Sequence, residues 1–136
     1  MTKTYVLDAS AIVDFVESSG GAGTVERLLR EARRGEIVLF VSVVNWAEVL
    51  SVLWHRRGEE KARQTMASLS PLPLRLAPVD LAQAVRAAEM KSQHKLSMVD
   101  SIAAALADLE RAMLVTGDQD FERLGRRVKV LWLRRT

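Results

Sequence analysis

Cysteine is absent from the 136 residues, and that one absence removes disulfide scaffolds, thiolate catalysis, sulfur-built zinc sites and iron–sulfur clusters together. Histidine is nearly absent: only His55 and His94 offer an imidazole, so any metal must take oxygen ligands or one of these two rings. Aromatic residues make up 5%, too few to advertise a base-stacking platform. No stretch approaches the roughly 20 apolar residues of a membrane helix. The opening MTKTYVLDASAIVDF is interrupted by Asp8 and Asp14 before a signal-like apolar run can form. These absences place the expected protein in the cytoplasm, with no membrane partner.

What is present has a globular balance, with 49% hydrophobic and 27% charged residues. The length suits one ordinary domain, so residues 1–136 are expected to form a single unit. The net charge of +3 permits polyanion binding, and its distribution says more than its total. RLGRRVKVLWLRRT, residues 123–136, carries Arg123, Arg126, Arg127, Lys129, Arg134 and Arg135 without one acid. Such a run is either a solubilising face or an edge turned toward phosphates.

Apolar strands alternate with amphipathic helices along the chain. TYVL ends at Asp8, and SAIVDFV follows with helical spacing and Ser10 as its expected cap. ESSGGAG breaks the pattern as a flexible loop. TVERLLREARRG places Val25, Leu28, Leu29 and Ala32 on one stripe and stops at Gly35. EIVLFVS lacks polar alternation, as a strand buried on both faces requires. Ser42 caps the next expected helix, which closes at Gly58; EEKARQTMASL supplies another, ended by the prolines at 71 and 73. LRLAPV is a short edge strand, Asp80 with Gln83 forms a capping box, and Ser97 repeats the device before MVDSIAAALAD. RAMLVT and VKVLWL complete a mostly parallel sheet of four or five strands in an α/β layer fold.

Sites in such sheets form beyond the carboxyl ends of the strands. Asp8 follows the first strand and Asp118 follows MLVT, while Glu48 and Asp100 lie near the starts of two helices. Each has a local explanation as well. Asp8 and Asp118 can serve turns, Asp100 can close a capping box with the Ser97 amide, and Glu48 can face solvent. Together, four carboxylates would repel one another, and a divalent cation would reverse that cost. Oxygen-only ligation suits magnesium or manganese, which activate phosphodiesters toward hydrolysis. Ser10 and Thr116 each stand two residues from an acid and can orient it; Asp120 is expected to support the site, Asp14 to face solvent and Asp108 to be an ordinary surface acid.

In order, YVLDASAIVDF, NWAEVLSVL, LSMVDSIAAALA and LVTGDQDFERL resemble the PIN-domain nucleases, and in size the VapC-type toxins of toxin–antitoxin pairs. The resemblance implies an α/β/α sandwich and a catalytic, metal-binding set of Asp8, Glu48, Asp100 and Asp118. It implies auxiliary roles for Ser10, Thr116 and Asp120. The implied activity is Mg2+- or Mn2+-dependent endoribonuclease cleavage of transfer or ribosomal RNA, leaving a 5′-phosphate and a 3′-hydroxyl. A cognate antitoxin and a homodimer are the implied protein partners.

RNA contacts are expected from Arg123, Arg126 and Arg127, whose charge would offset the repulsion between carboxylates and phosphates. Arg56 and Arg57 can do the same, and His55 and His94 match none of the acids. Trp46, Trp54 and the helix at 59–69 are the candidate protein-contact surfaces, although the tryptophan spacing also suits a core. The rival functions are a magnesium-binding phosphoacceptor, a haloacid-type phosphatase and an inactive RNA-binding or assembly module. The first wants a lysine after a late strand and the second an acid at position 10, where serine stands.

Overall fold

The computed structural model describes residues 2–133, so Arg134 and Arg135 of the basic run lie outside the described residues. Five strands form one sheet: β1 (Lys3–Leu7), β2 (Ile37–Ser42), β3 (Arg75–Ala77), β4 (Met113–Thr116) and β5 (Val130–Trp132). Every pairing is parallel and the order is β3-β2-β1-β4-β5. The chain winds outward from β1 through β2 to β3, then returns to lay β4 against the other side of β1. That reversal opens a crevice between the carboxyl ends of β1 and β4.

Side-chain alternation assigns each face of the sheet to its own layer. Tyr5, Leu7, Leu39, Val41 and Val115 face α1 (Ala9–Val16), α2 (Ala22–Arg33), α3 (Val43–Arg57) and α4 (Glu59–Leu69). Val6 and Leu114 face the second layer, built from α5 (Leu81–His94), α6 (Met98–Glu110) and a 3-10 helix (Gln119–Leu124). The result is the α/β/α sandwich. Within it α6 lies directly on β1, β2 and β4 with α5 packed against its other side. Its residues Ser101 to Ala107 are all buried, which the small side chains of Ala103, Ala104, Ala105 and Ala107 permit. No helix among the described residues is long and apolar enough to cross a membrane.

Four local expectations change. Asp8, rather than Ser10, caps α1, because its carboxylate already stands one residue outside the helix and accepts from the Ala11 amide. The capping box at α5 is made only in its forward half: Asp80 accepts from the Gln83 amide, while the buried Gln83 side chain donates to the Pro78 carbonyl. The glycine-rich segment after α1 is not all loop, since its last two residues, Ala22 and Gly23, already belong to α2. Asp14 is buried, not solvent-facing, and its Oδ2 accepts from the Gly21 amide at 3.0 Å. A β-carbon at Gly21 would stand 2.6 Å from the Leu133 β-carbon, so only glycine lets the carboxyl end of the last strand pass.

The Gly21→Ala variant is therefore expected to lose about 1–3 kcal/mol of stability through overpacking. Urea denaturation monitored by tryptophan fluorescence checks the loss, and an unchanged midpoint would show that Leu133 can move aside.

Candidate active site

Parallel strands bring their carboxyl ends to one edge, and the helices that follow them begin there. Asp8 leaves β1 at that edge, Asp118 leaves β4, α3 starts directly from β2, and α6 starts there before running back toward β4. Asp8, Glu48, Asp100 and Asp118 all line one cleft of about 510 Å³ at this edge, together with Ser10, Asp14 and Asn45. The four acids proposed from separate segments are thus neighbours.

Their roles within the cleft differ. Asp8 is buried and heavily hydrogen-bonded: Oδ1 accepts from the Ser10 hydroxyl at 2.7 Å and the Ala11 amide at 2.9 Å, and Oδ2 from the Thr116 hydroxyl at 2.5 Å. A carboxylate has about four lone-pair directions, so one on Oδ2 is left for a further partner. Thr116 in turn accepts from the Asp118 amide, and Ser10 from the Gly117 amide. The two hydroxyls therefore fasten the β1–α1 junction to the turn after β4 and hold Asp8 between them.

Asp118 caps the 3-10 helix by accepting from the Asp120 amide at 2.9 Å. That turn swings Asp120 beside it, and ligand atoms of Asp100, Asp118 and Asp120 lie within 4.8 Å of one another. Asp120, expected as a supporting acid, thus stands in the tightest cluster, whereas Asp8 lies behind it and Glu48 on the wall formed by α3. The Ser97 hydroxyl accepts from the Asp100 amide and so caps the helix that carries Asp100. Asp100 is therefore both part of a helix start and part of the acid cluster.

The electrostatics record this crowding. Burial pushes the Asp8 carboxyl up to about 6, and the Asp118 charge adds to the rise, against the opposing hydrogen bonds from Thr116, Ser10 and Ala11. Burial likewise pushes Asp100 up to about 6, reinforced by Asp118, Asp8 and Asp120 and opposed by the Ser97 hydroxyl. A set of converging hard oxygen donors that resists ionisation fits a divalent cation of the magnesium or manganese kind.

Asn45 belongs to the cleft as well, though it is no acid. It is buried, its Oδ1 accepts from the Ala9 amide at 3.1 Å, and its Nδ2 donates to the Val99 carbonyl at 3.5 Å. It thereby joins the starts of α1, α3 and α6, the three helices that carry acids or their supports. Its one legible signal is position, three residues before Glu48 and hence on the same helical face.

The arginines divide. Arg56 lines the cleft, its Nη1 2.5 Å from Glu17 Oε1, and Arg57 reaches the same carboxylate at 3.9 Å. Arg123 stands beside the acids, 3.6 Å from Asp120, and donates to the Lys95 carbonyl; His94 Nδ1 donates to the Arg123 carbonyl. Arg126 and Arg127 precede β5 and so lie at the opposite edge of the sheet, a strand length from the acids. Arg127 bonds Gln93 and Asp108, and Asp108 also accepts from Arg86, so Asp108 is a clamped acid rather than an ordinary surface one. Trp46 packs on the core, while Trp54 is exposed with the Arg63 guanidinium 5.1 Å above its ring.

The PIN-domain family model matches residues 5–127. The chain belongs to the PIN-domain family. No curated protein sequence matches this PIN domain significantly. Among solved structures it is similar to a chain of VapBC2 from Rickettsia felis bound to a promoter DNA fragment, at 16% identity and a TM-score of 0.76, covering 96% of this chain and 98% of that one. The DNA-bound VapBC of Salmonella typhimurium gives 15% identity, 96% and 98% coverage and a TM-score of 0.76. Mycobacterium tuberculosis VapC20, a Sarcin-Ricin loop cleaving toxin, gives 20% identity, 89% and 95% coverage and a TM-score of 0.70. At these identities the likeness is one of fold.

Because Asp8 and Asp100 ionise later in the folded PIN domain than in the unfolded chain, the folded state holds the extra protons between about pH 4 and pH 6. Stability from these groups is complete below that window and is lost as pH rises through it. Metal-free protein is accordingly expected to lose Tm from pH 5 to about pH 7.5, and Asp100→Asn to flatten that loss. Calorimetry in EDTA compares the two; parallel profiles would contradict the assigned burial and repulsion.

Proposed function

We propose that this PIN domain is a metal-dependent endoribonuclease that hydrolyses RNA phosphodiester bonds, acting as a VapC-type toxin in the cytoplasm. The observation that carries the reading is the convergence of Asp100, Asp118 and Asp120 within 4.8 Å, backed by Asp8 in the same cleft. Asp100, Asp118 and Asp120 would hold the ion, with the free Oδ2 direction of Asp8 and the Glu48 carboxylate completing the acidic wall. A bound magnesium or manganese ion would supply Lewis acidity toward a phosphoryl oxygen and ease the deprotonation of water.

The chain's own residues do the rest. Ser10 and Thr116 keep Asp8 ionisable by donating to its charged form, and Asn45 fixes the helix starts that aim Asp100 and Glu48. Arg56 brings a guanidinium to a cleft otherwise hostile to phosphate, and the Glu17 carboxylate holds it there. An exposed phosphodiester entering this edge meets acids on the sheet side and one cation on the α3 side.

Likeness in fold to VapBC assemblies supports a cognate antitoxin as partner, and a homodimer follows only from the resemblance to VapC-type toxins. Likeness to a Sarcin-Ricin loop cleaving toxin supports ribosomal RNA as the substrate class, with transfer RNA as the alternative the resemblance implies. The phosphoacceptor reading gains no support, since no lysine is among the residues that line the acids' cleft.

Purified protein is expected to cut structured RNA with Mg2+ or Mn2+ and not in EDTA, with 5′-phosphate and 3′-hydroxyl ends. Asp118→Asn should lose activity by at least the roughly 100-fold that even supporting residues of metal sites cost. Full cleavage by that variant, or by wild type in EDTA, would overturn the assignment. Arg56→Ala is expected to raise KM more than it lowers kcat, as loss of a substrate-binding charge does.

A further inference from the structure

The edge of the sheet opposite the acids carries a concave surface of the other sign. Lys3, Arg111, Arg126, Arg127 and Lys129 line a cleft of about 850 Å³, formed where β1, β4 and β5 begin and α6 ends. The acids beside them are Asp108 and Glu110, and Asp108 is already bound to Arg86 and Arg127. Among the described residues, Lys3, Arg111, Arg126 and Lys129 make no ion pair, and all four are exposed.

A helix carboxyl terminus explains one of these cations. Arg111 caps α6 in the left-handed conformation and so suits the negative end of its dipole. The same account does not reach Lys3, at the start of a strand, or Arg126 and Lys129, in the turn before β5. Four unpaired cations from three chain segments around one hollow repel one another, and a polyanion relieves that repulsion.

An adjoining hollow of about 690 Å³ shares Arg126 and Lys129 and adds Trp132. Trp132 ends the edge strand β5 level with Thr116, one short strand away from Lys129, and is 44% exposed. A cationic groove flanked by an open aromatic face is the arrangement that holds single-stranded nucleic acid, with phosphates on the cations and a base on the ring.

We propose that the hollow running along β5, from the cations at its start to Trp132 at its end, is a second RNA-binding site, in which Lys3, Arg111, Arg126 and Lys129 hold the backbone of a single-stranded segment and Trp132 stacks one of its bases. The inference takes RNA as ligand from the proposed ribonuclease function. It adds an anchor for the substrate outside the acidic cleft. The two edges are separated by the length of the central strands, roughly 15 Å for a strand of five residues. One RNA molecule can therefore engage both.

The test uses a Trp46→Phe, Trp54→Phe background, in which Trp132 is the sole tryptophan, and a short oligouridylate in EDTA. The expected result is quenching of Trp132 fluorescence on titration. Trp132→Ala should weaken binding of the same fluorescently labelled oligonucleotide about tenfold. Arg111→Gln, Arg126→Gln and Lys129→Gln together should reduce the slope of log affinity against log salt by about 2. Absence of quenching, or unchanged affinity and slope in these variants, overturns the proposal. Equal loss of affinity for a polyglutamate peptide also overturns it, by assigning the surface to acidic proteins.

Cleavage separates the two readings. Quenching in a protein that cuts no RNA with any metal upholds this site and defeats the ribonuclease assignment. Metal-dependent cleavage by a protein whose Trp132 is not quenched does the reverse.

Discussion

The Asp8 carboxylate holds together the parts of this molecule on which its site depends. Its three hydrogen bonds come from the first turn of α1 and from the last residue of β4, elements that are separated by about a hundred positions in the chain and adjacent in the sheet. Thr116 and Ser10 pass the connection on to the backbone of Gly117 and Asp118. The turn that presents Asp118 and Asp120 is thus set by the same bonds that seat Asp8. The Asp120–Arg123–Lys95 contacts then tie this turn to the loop before α6, and so to Asp100. Replacing one member of the chain of bonds would loosen several acids at once.

Such a site opposes the stability of the fold that builds it. Two carboxylates are pushed well above their ordinary range, and a third and fourth add repulsion without any lysine in the cleft to relieve it. Burial of one ionised group is costly, and burial beside like charges is more so. The surroundings offset this with local donors: helix starts at α1, α3 and α6 turn their amide ends toward the acids. Part of the energy gained from the all-apolar sheet faces is therefore spent on holding a charge distribution that only a cation or a proton can satisfy.

The layers of the fold and the four separated acids were legible in the sequence because they follow from periodicity and from strand ends, which are local properties. EIVLFVS could hardly be anything other than a central strand, and Pro71 and Pro73 end α4 as expected. What was not legible depends on partners distant in the chain. Asn45 looks like any polar helical residue until Ala9 and Val99 arrive beside it. Gly20, Gly21 and Gly23 look like a loose loop until Asp14 and Leu133 are found fixing Gly21. Arg126 and Arg127 share a basic run with Arg123, but a turn at Gly125, with positive φ, carries the chain back to the start of β5 and away from the acids. Proximity in sequence misled there because the connection spans the whole height of the sheet.

The parallel sheet has a further consequence. Acids gather where its strands end and unpaired cations where they begin, so these two groups form an electric dipole along the strand axis. Near a polyanion the resulting torque turns the cationic end inward and the acidic cleft outward. A polyanion is then met first at the end where the strands begin, one strand length from the acids, and rising ionic strength weakens that attraction. The direction of this field is fixed by strand direction rather than by any single residue.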